Sequence, residues 1–330
     1  MSTKALSDMQ ALRVEEFRQR LKAKPTSTEQ STSKPPSEPY DDAKLLEFLK
    51  LHKFSVDEAH AHYTELENWR LENRIEETYM NVDCKSFNRA TSLHGIWIGR
   101  RDRQGRPIHV WVLRNLDPAE IAAYLHDAAE LKASHPHHCE SPTAANAILF
   151  STLLEYFKRF TIPICNAVPN RPDAQKPVVS GTSIVDISGV SIRQWWQLKD
   201  HINEASKLHA KYSPDTLDQS FVVGAPPFLP WLVGAVQKWF SPSMMDVTFL
   251  QNSDIKKKLL EYVDADDLPK RFGGNLDWDY GKDPVPDDEV TAILEKDGRK
   301  GWVDGPCVLE DGVRVPVGTV NGVKRYTVDI

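Results

Sequence analysis

The sequence lacks a long hydrophobic run, a closely spaced cysteine pair and an excess of basic residues. No apolar stretch among its 330 residues approaches the roughly 20 that a membrane-spanning helix needs. The N-terminus has no apolar core of the kind that a secretory signal requires. The 4 cysteines lie far apart in the sequence, which favours free thiols in a reducing compartment. We therefore expect a cytoplasmic protein that does not cross a bilayer.

The charge balance is slightly acidic. Lys and Arg total 41 against 47 for Asp and Glu, which gives a net charge of −6. Proteins that bind nucleic acid normally carry a basic excess. We therefore expect no nucleic-acid partner.

Signatures of phosphate binding and of nucleophilic catalysis are also missing. Neither G-x-G-x-x-G nor G-x-x-x-x-G-K-[ST] occurs, so no glycine-rich loop is available to bind phosphates. The string G-T-S-I-V at 181–185 resembles a nucleophile elbow, but it lacks the glycine that the tight turn needs two residues after Ser183. The sequence predicts a protein that is not an enzyme and has no catalytic residues.

One short segment is rich in histidine. His135, His137, His138 and Cys139 are close enough in sequence to bind a soft divalent metal. A polar loop interrupted by proline also tolerates histidines without any such role. We favour the second interpretation and expect no metal site.

The order of segments indicates an α/β protein. Residues 22–40 are almost without apolar side chains, which is typical of a flexible tail. Apolar positions at helical spacing then predict a helical hairpin over 41–76. Two strands follow, over 94–100 and 108–113, and then two helices, over 117–132 and 144–160.

The second half alternates between strands and helices. Strands are predicted over 178–187, 220–224 and 246–250, and helices over 191–212, 227–240 and 253–263. Such alternation implies parallel strand pairing. After Gly274 the sequence becomes acidic and rich in turns, with patterns that indicate small hairpins.

Four strings resemble the CRAL-TRIO lipid-binding family, specifically the fungal phosphatidylinositol transfer proteins. They occur in the family's order, and the similarity spans about residues 41–274, which is most of the chain. The strings are L-L-E-F-L-K-L-H-K-F-S-V-D-E-A at 45–59, D-R-Q-G-R-P at 102–107, S-I-V-D-I-S-G-V-S at 183–191 and D-L-P-K-R-F-G-G at 267–274. The resemblance implies an N-terminal helical region (41–80) and a CRAL-TRIO lipid-binding domain (81–274). That domain has a mixed, mostly parallel sheet, an apolar cavity and a gate helix. A flexible tail (1–40) and a C-terminal extension with small hairpins (275–330) flank them.

The gate would correspond to residues 225–240. Its apolar residues, which are the gate and cavity candidates, are Phe228, Leu229, Trp231, Leu232, Val236, Trp239 and Phe240. A helix this apolar is either buried on all sides or partly in contact with lipid. Pro227, Pro230 and Gly234 each weaken a rigid helix and favour a mobile gate.

The resemblance also implies an inositol-phosphate site made of an arginine, a glutamate, a threonine and a lysine. The corresponding residues of this chain are His52, Glu204, Met244 and Val247, so that only the glutamate is retained. Losing two cations weakens phosphate binding, although Lys53 and a protonated His52 compensate in part. Glu204 fits a polar helix stripe as well as it fits a pocket.

The family's phosphatidylcholine site draws hydroxyl groups from the central strand. Thr182 and Ser183 supply hydroxyls here, although Gly181 replaces the first serine of the pattern, and packing within the strand is the alternative role. Some members of the family bind haem through a His and a Tyr on this strand. Val185 and Ile187 stand at those positions and cannot ligate iron. We therefore expect no cofactor apart from a bound lipid.

These features predict a lipid-binding and transfer protein. It would enclose one phospholipid, or a similar hydrophobic ligand, and exchange it between membranes through transient contact with their surfaces. Its head-group site would differ from that of phosphatidylinositol transfer proteins. The alternative is a lipid sensor or adaptor that presents its ligand to a partner such as a lipid kinase. The sequence does not identify a protein partner.

Overall fold

The computed structural model describes residues 8–22, 42–139, 141–212, 216–225 and 247–325. Most of the predicted flexible tail lies outside these ranges, as does the predicted gate apart from Ala225. The chain divides into two compact units, Met1–Trp69 and Arg70–Ile330. No helix of the described ranges is long and apolar enough to cross a membrane.

The first unit contains helices α1 (Asp8–Lys22) and α2 (Asp42–Leu51) and most of α3 (Val56–Glu72). Aromatic rings hold the helices together, since Tyr63 of α3 lies edge-on to Phe17 of α1 and Phe48 of α2, with ring centroids 6.0 and 5.2 Å apart. The turn between α2 and α3 places Lys53 and Phe54 at positive φ. The turn of the helical hairpin predicted over 41–76 therefore lies at Lys53 and Phe54.

The second unit is built on a five-stranded sheet. Its strands are β1 (Ile96–Arg101), β2 (Pro107–Val112), β3 (Gly181–Asp186), β4 (Leu217–Val223) and β5 (Val247–Leu250), which lie side by side in chain order. The β1–β2 pair is antiparallel and the other three pairs are parallel. The sheet is therefore mixed and mostly parallel, as the sequence predicts.

Helices connect and cover the strands. In chain order they are α4 (Ile75–Asn81), α5 (Cys84–His94), α6 (Pro118–Ser134), α7 (Pro136–Cys139), α8 (Ala145–Tyr156), α9 (Ile162–Ala167), α10 (Ile192–Tyr212), α11 (Ile255–Leu259) and α12 (Asp288–Leu294). A π-helical turn, Phe157–Thr161, joins α8 to α9. Pro163 follows it and has no N–H to donate to Arg159, which breaks the regular helical ladder here.

The turn between β1 and β2 is fixed by one buried carboxylate. Asp102 accepts hydrogen bonds from the backbone N–H groups of Gln104 and Arg106, both at 2.9 Å, and from Arg106 Nε at 2.7 Å. It also accepts one from the Thr182 hydroxyl of β3 at 2.7 Å. The D-R-Q-G-R-P string therefore ties the hairpin to the central strand.

The residues after Gly274 pack within the second unit. Val285 N–H donates to the carbonyl of Ile98 at 2.9 Å, and Arg101 pairs with Asp287 at 2.9 Å. Two small hairpins follow, β6–β7 (Cys307–Glu310 and Val313–Pro316) and β8–β9 (Thr319–Val320 and Val323–Lys324). This is the pattern that the turn-rich sequence indicates.

Candidate functional site

A cavity lies between one face of the sheet and helices α5, α8 and α10. Its volume of about 110 Å³ is several times what one water molecule requires. All of its described lining residues belong to the second unit.

The floor of the cavity follows from strand register. Side chains alternate between the two faces of a sheet, so residues paired across neighbouring strands share a face. One row across the sheet consists of Trp97, His109, Ser183, Ser220 and Val247. The next row contains Trp111, Val185 and Val222. All eight side chains line the cavity, which makes its floor polar in the middle and apolar around it.

The walls come from the helices. The C-terminal end of α8 and the turn after it contribute large apolar side chains: Phe150, Leu153, Leu154, Tyr156 and Phe157. Helix α10 contributes Ala205, Ser206 and His209, which lie within about one turn of each other, and the His209 ring lies edge-on to Phe150 with centroids 4.9 Å apart. His94, the last residue of α5, also lines the cavity. Such a wall favours aliphatic and aromatic parts of a ligand.

The described lining contains no Asp, Glu, Lys or Arg. Its three histidines are neutral at pH 7, because burial lowers the pKa of His94 to about 3 and that of His109 and His209 to about 4. The nearby His201 lowers the pKa of His94 further. This part of the cavity therefore presents hydrogen-bonding groups without formal charge.

Trp111 provides one of those groups. The indole N–H of Trp111 is buried and donates no hydrogen bond to any described residue. By contrast, the indole N–H of Trp97 donates to the carbonyl of Arg100 at 3.0 Å. A buried unpaired donor is costly, so Trp111 is suited to an uncharged acceptor on a ligand.

Two of the residues predicted from the sequence line the cavity, Ser183 and Val247, two strands apart in the same row. Thr182 lies on the opposite face of the sheet, where its hydroxyl donates to Asp102. Glu204 is half-buried on α10 and accepts a hydrogen bond from Asn146 at 3.2 Å. Neither Thr182 nor Glu204 belongs to the described lining.

The remaining predicted residues lie in the first unit or outside the described ranges. His52 has Nε2 3.0 Å from Nδ1 of His62. Burial, with the nearby His62, lowers the pKa of His52 and favours its neutral form. Lys53 is exposed. Met244 and the gate residues from Phe228 to Phe240 lie outside the described residues.

Several cavity residues were not predicted from the sequence, notably His94, His109, Trp111, Tyr156 and His209. The alternation in I-H-V-W-V over 108–112 was a usable signal, because it places His109 and Trp111 on one face and the aliphatic residues on the other. His94 and His209 carry no comparable local signal, since only the tertiary fold brings α5 and α10 to the same cavity.

One histidine of the histidine-rich segment, His138, is buried. His138 is fully buried, and its Nε2 lies 2.8 Å from the carbonyl oxygen of Asn73 and 3.2 Å from the hydroxyl oxygen of Thr78. Among the residues that the structure describes, the group with converging ligand atoms is instead His126, Asp127 and Glu130 on α6. Asp127 of that group already pairs with Arg89.

Comparison with known proteins places the chain in a family. The model of the CRAL/TRIO domain matches residues 90–274. The SEC14 cytosolic factor of Eremothecium gossypii is 26% identical over 243 residues, which cover 72% of this chain and 70% of that protein. The Arabidopsis thaliana phosphatidylinositol/phosphatidylcholine transfer protein SFH7 is 24% identical over 238 residues, which cover 70% of this chain and 38% of that protein.

A solved structure gives the same result for the fold. The crystal structure of Sfh5 superimposes with a TM-score of 0.52 at 15% identity, covering 89% of this chain and 98% of that one. The matched domain contains the cavity residues from Thr91 to Val247 and the sheet that forms the cavity floor. The chain belongs to the CRAL/TRIO domain family.

Proposed function

We propose that this chain is a cytosolic lipid-binding and transfer protein that encloses one phospholipid, or a similar hydrophobic ligand, and exchanges it between membranes. The observation that carries the proposal is the aromatic-walled cavity without charged lining residues in the described part of a CRAL/TRIO domain. The names of relatives such as SFH7 support it. Each methylene that leaves water for such a cavity contributes about 0.8 kcal/mol, so capture requires no catalytic step.

We further propose that the head-group site differs from that of phosphatidylinositol transfer proteins. Val247 is an apolar side chain in the cavity lining. Lowering of the pKa of His52 disfavours the cation that a phosphate would require. Glu204 has Asn146 as a hydrogen-bond donor. Together with Met244, these residues support weaker binding of inositol phosphate than the family pattern implies.

The test is identification of the lipid that co-purifies with the protein, by native mass spectrometry and organic extraction. Transfer of fluorescent phosphatidylcholine and phosphatidylinositol between vesicles is measured on the same preparation. Val185→Trp places a large side chain in the cavity and should abolish lipid retention and transfer. Leu125→Trp is the matched control, because Leu125 is 49% exposed on α6, away from the cavity lining.

The outcomes are separable. One lipid per chain, with retention and transfer lost in Val185→Trp alone, supports the proposal. A folded, monodisperse protein that carries and takes up no lipid overturns it. Stable lipid binding without transfer overturns the transfer function and favours the sensor or adaptor alternative. Phosphatidylinositol as the main bound species contradicts the altered head-group site.

A further inference from the structure

The outer face of α10 exposes two large apolar side chains. The inner face of this helix contributes Trp195, Leu198 and Ile202 to the core. On the opposite face Ile192 is 53% exposed and Trp196 is 56% exposed. Residues four apart on a helix are neighbours, so these two side chains form one continuous apolar patch. A tryptophan exposed to this extent favours an interaction role over a packing role.

Basic side chains lie along the same helix. Arg193, Lys207 and Lys211 are exposed on the same helix, and Nζ of Lys199 lies 5.8 Å from the centre of a Trp196 ring. The helix carries four basic residues against two acidic ones, in a chain whose net charge is −6. Asp200 pairs with Lys199 at 2.8 Å and Glu204 accepts a hydrogen bond from the neutral Asn146 at 3.2 Å, so four basic residues minus two acidic ones leave the helix a net charge of +2. The face is therefore a local basic region on an acidic protein.

The position of the patch follows from the topology. Strands β2 to β5 are parallel, so their carboxyl ends lie at one edge of the sheet. Helix α10 begins six residues after β3 ends at Asp186, and β4 ends at Val223 on the same edge. Ala225, the first residue of the predicted gate, lies two residues after the end of β4. The exposed start of α10 therefore lies at the edge where the chain leaves the sheet for the gate segment.

We propose that the outer face of α10 docks this protein on an anionic lipid bilayer. Ile192 and Trp196 enter the interfacial region, and Arg193, Lys207 and Lys211 lie against lipid phosphates. Tryptophan and lysine are both favoured at this depth, where an apolar ring and a snorkelling ammonium are each accommodated. The inference rests on the proposed function to the extent that a transfer protein must dock on the membranes it serves.

A second copy of the chain fits this face less well. A fully covered tryptophan buries about 150–250 Å², whereas a stable protein interface needs about 800 Å² per partner. Between two copies, the basic side chains would also face each other across the contact. An anionic bilayer needs neither a large apolar area nor a complementary protein surface.

The experiment is flotation of the full chain with vesicles of phosphatidylcholine, with or without phosphatidylserine. We expect binding that requires phosphatidylserine and weakens with added salt. Trp196→Ala should reduce the partition coefficient roughly tenfold or more, and Lys207→Ala roughly fivefold. Leu125→Ala is the matched control, because Leu125 is also an exposed apolar residue, 49% exposed, but lies on α6 beside His126 and Asp127. It should leave binding unchanged.

Several results would overturn the docking proposal. These are absence of flotation of the wild-type chain, equal flotation on both vesicle types, and flotation of Trp196→Ala equal to that of the wild type. A dimer in light scattering that Trp196→Ala dissociates would assign the face to a second copy instead. Native mass spectrometry of the same variants separates this proposal from the proposed function. Retained lipid without docking overturns only the docking face, and docking without any lipid uptake overturns only the lipid-transfer function.

Discussion

The two faces of the five-stranded sheet are made by alternate residues of the same strands, yet they are packed differently. One face is filled by aliphatic and aromatic side chains that are at most 6% exposed: Ile98, Ile108, Val110, Val112, Ile184, Phe221, Val223 and Leu250. They pack against Leu259, Val263, Leu268 and Phe272 from the segment after β5. The other face carries His109, Trp111, Ser183 and Ser220 and borders the cavity.

Because of this difference, a substitution on the packed face should mainly lower stability, whereas a substitution on the cavity face should mainly alter ligand binding. A side chain on the packed face has neighbours on all sides, so its removal leaves a void and costs dispersion energy. A side chain on the cavity face already borders open space, and its removal enlarges a cavity that exists. Substitutions at neighbouring positions in one strand should therefore have different effects.

The largest effect that we expect is that of pH on the cavity face. An unfolded histidine has a pKa near 6.5, whereas burial lowers the pKa of His94 to about 3 and that of His109 and His209 to about 4. Below pH 6.5 the unfolded chain therefore binds more protons than the folded one. The stability that these three histidines contribute by staying neutral is fully present above about pH 6.5 and is lost as the pH falls towards 4.

Between pH 7 and pH 5 this loss amounts to about 2 kcal/mol per histidine, or about 6 kcal/mol for all three. Urea denaturation at each pH measures it. His109→Gln should make the pH dependence shallower by one proton, whereas His126→Gln, at a side chain that is 69% exposed, serves as the control. A pH profile that His109→Gln leaves unchanged would show that folding does not lower the pKa of His109.

The next largest effect concerns the packed face. Phe221 is fully buried, and its ring lies edge-on to Tyr262 with centroids 5.0 Å apart. Phe221→Ala should lower the free energy of unfolding by about 3–5 kcal/mol. The adjacent Val222→Ala on the cavity face should cost about 1–2 kcal/mol. Equal losses in urea denaturation would contradict the contrast between the faces.

Thr182 and Ser183 are neighbours in β3 and place one hydroxyl group on each face of the sheet. Thr182→Val removes a donor from the buried Asp102 carboxylate and should cost about 2 kcal/mol of stability without altering lipid retention. Ser183→Ala, on the cavity face, should change stability by about 0.5 kcal/mol or less and lower the amount of co-purified lipid. Chemical denaturation and lipid quantification on both variants measure this. The opposite assignment of effects would mean that the side chain of Thr182 contacts the ligand.

The sequence predicted the sheet better than the cavity. Parallel pairing followed from alternating strands and helices, and Ser183 and Val247 followed from the family pattern. The helix over 84–94 was not predicted, the helix over 75–81 lies at the end of the helical region (41–80) that the resemblance implies, and the helix expected over 253–263 is confined to Ile255–Leu259. Thr182 was grouped with Ser183 because both carry hydroxyls, although the two-residue period of a strand places neighbours on opposite faces. His94 and His209 could not be predicted as cavity residues, because no local sequence pattern indicates which distant helices share a cavity wall.

The smallest effect distinguishes two tryptophans on the cavity face. The N–H of Trp97 donates to Arg100, whereas that of Trp111 has no partner among the described residues. In protein stripped of lipid, Trp97→Phe loses both ring area and a hydrogen bond. Trp111→Phe loses ring area but also removes an unpaired donor, so the two contributions oppose each other. We expect Trp111→Phe to be about 1 kcal/mol less destabilising than Trp97→Phe in chemical denaturation.

Adding lipid should narrow this gap if the ligand accepts a hydrogen bond from Trp111, because Trp111→Phe then loses that bond as well. A gap that lipid leaves unchanged would assign the Trp111 ring to apolar contact alone.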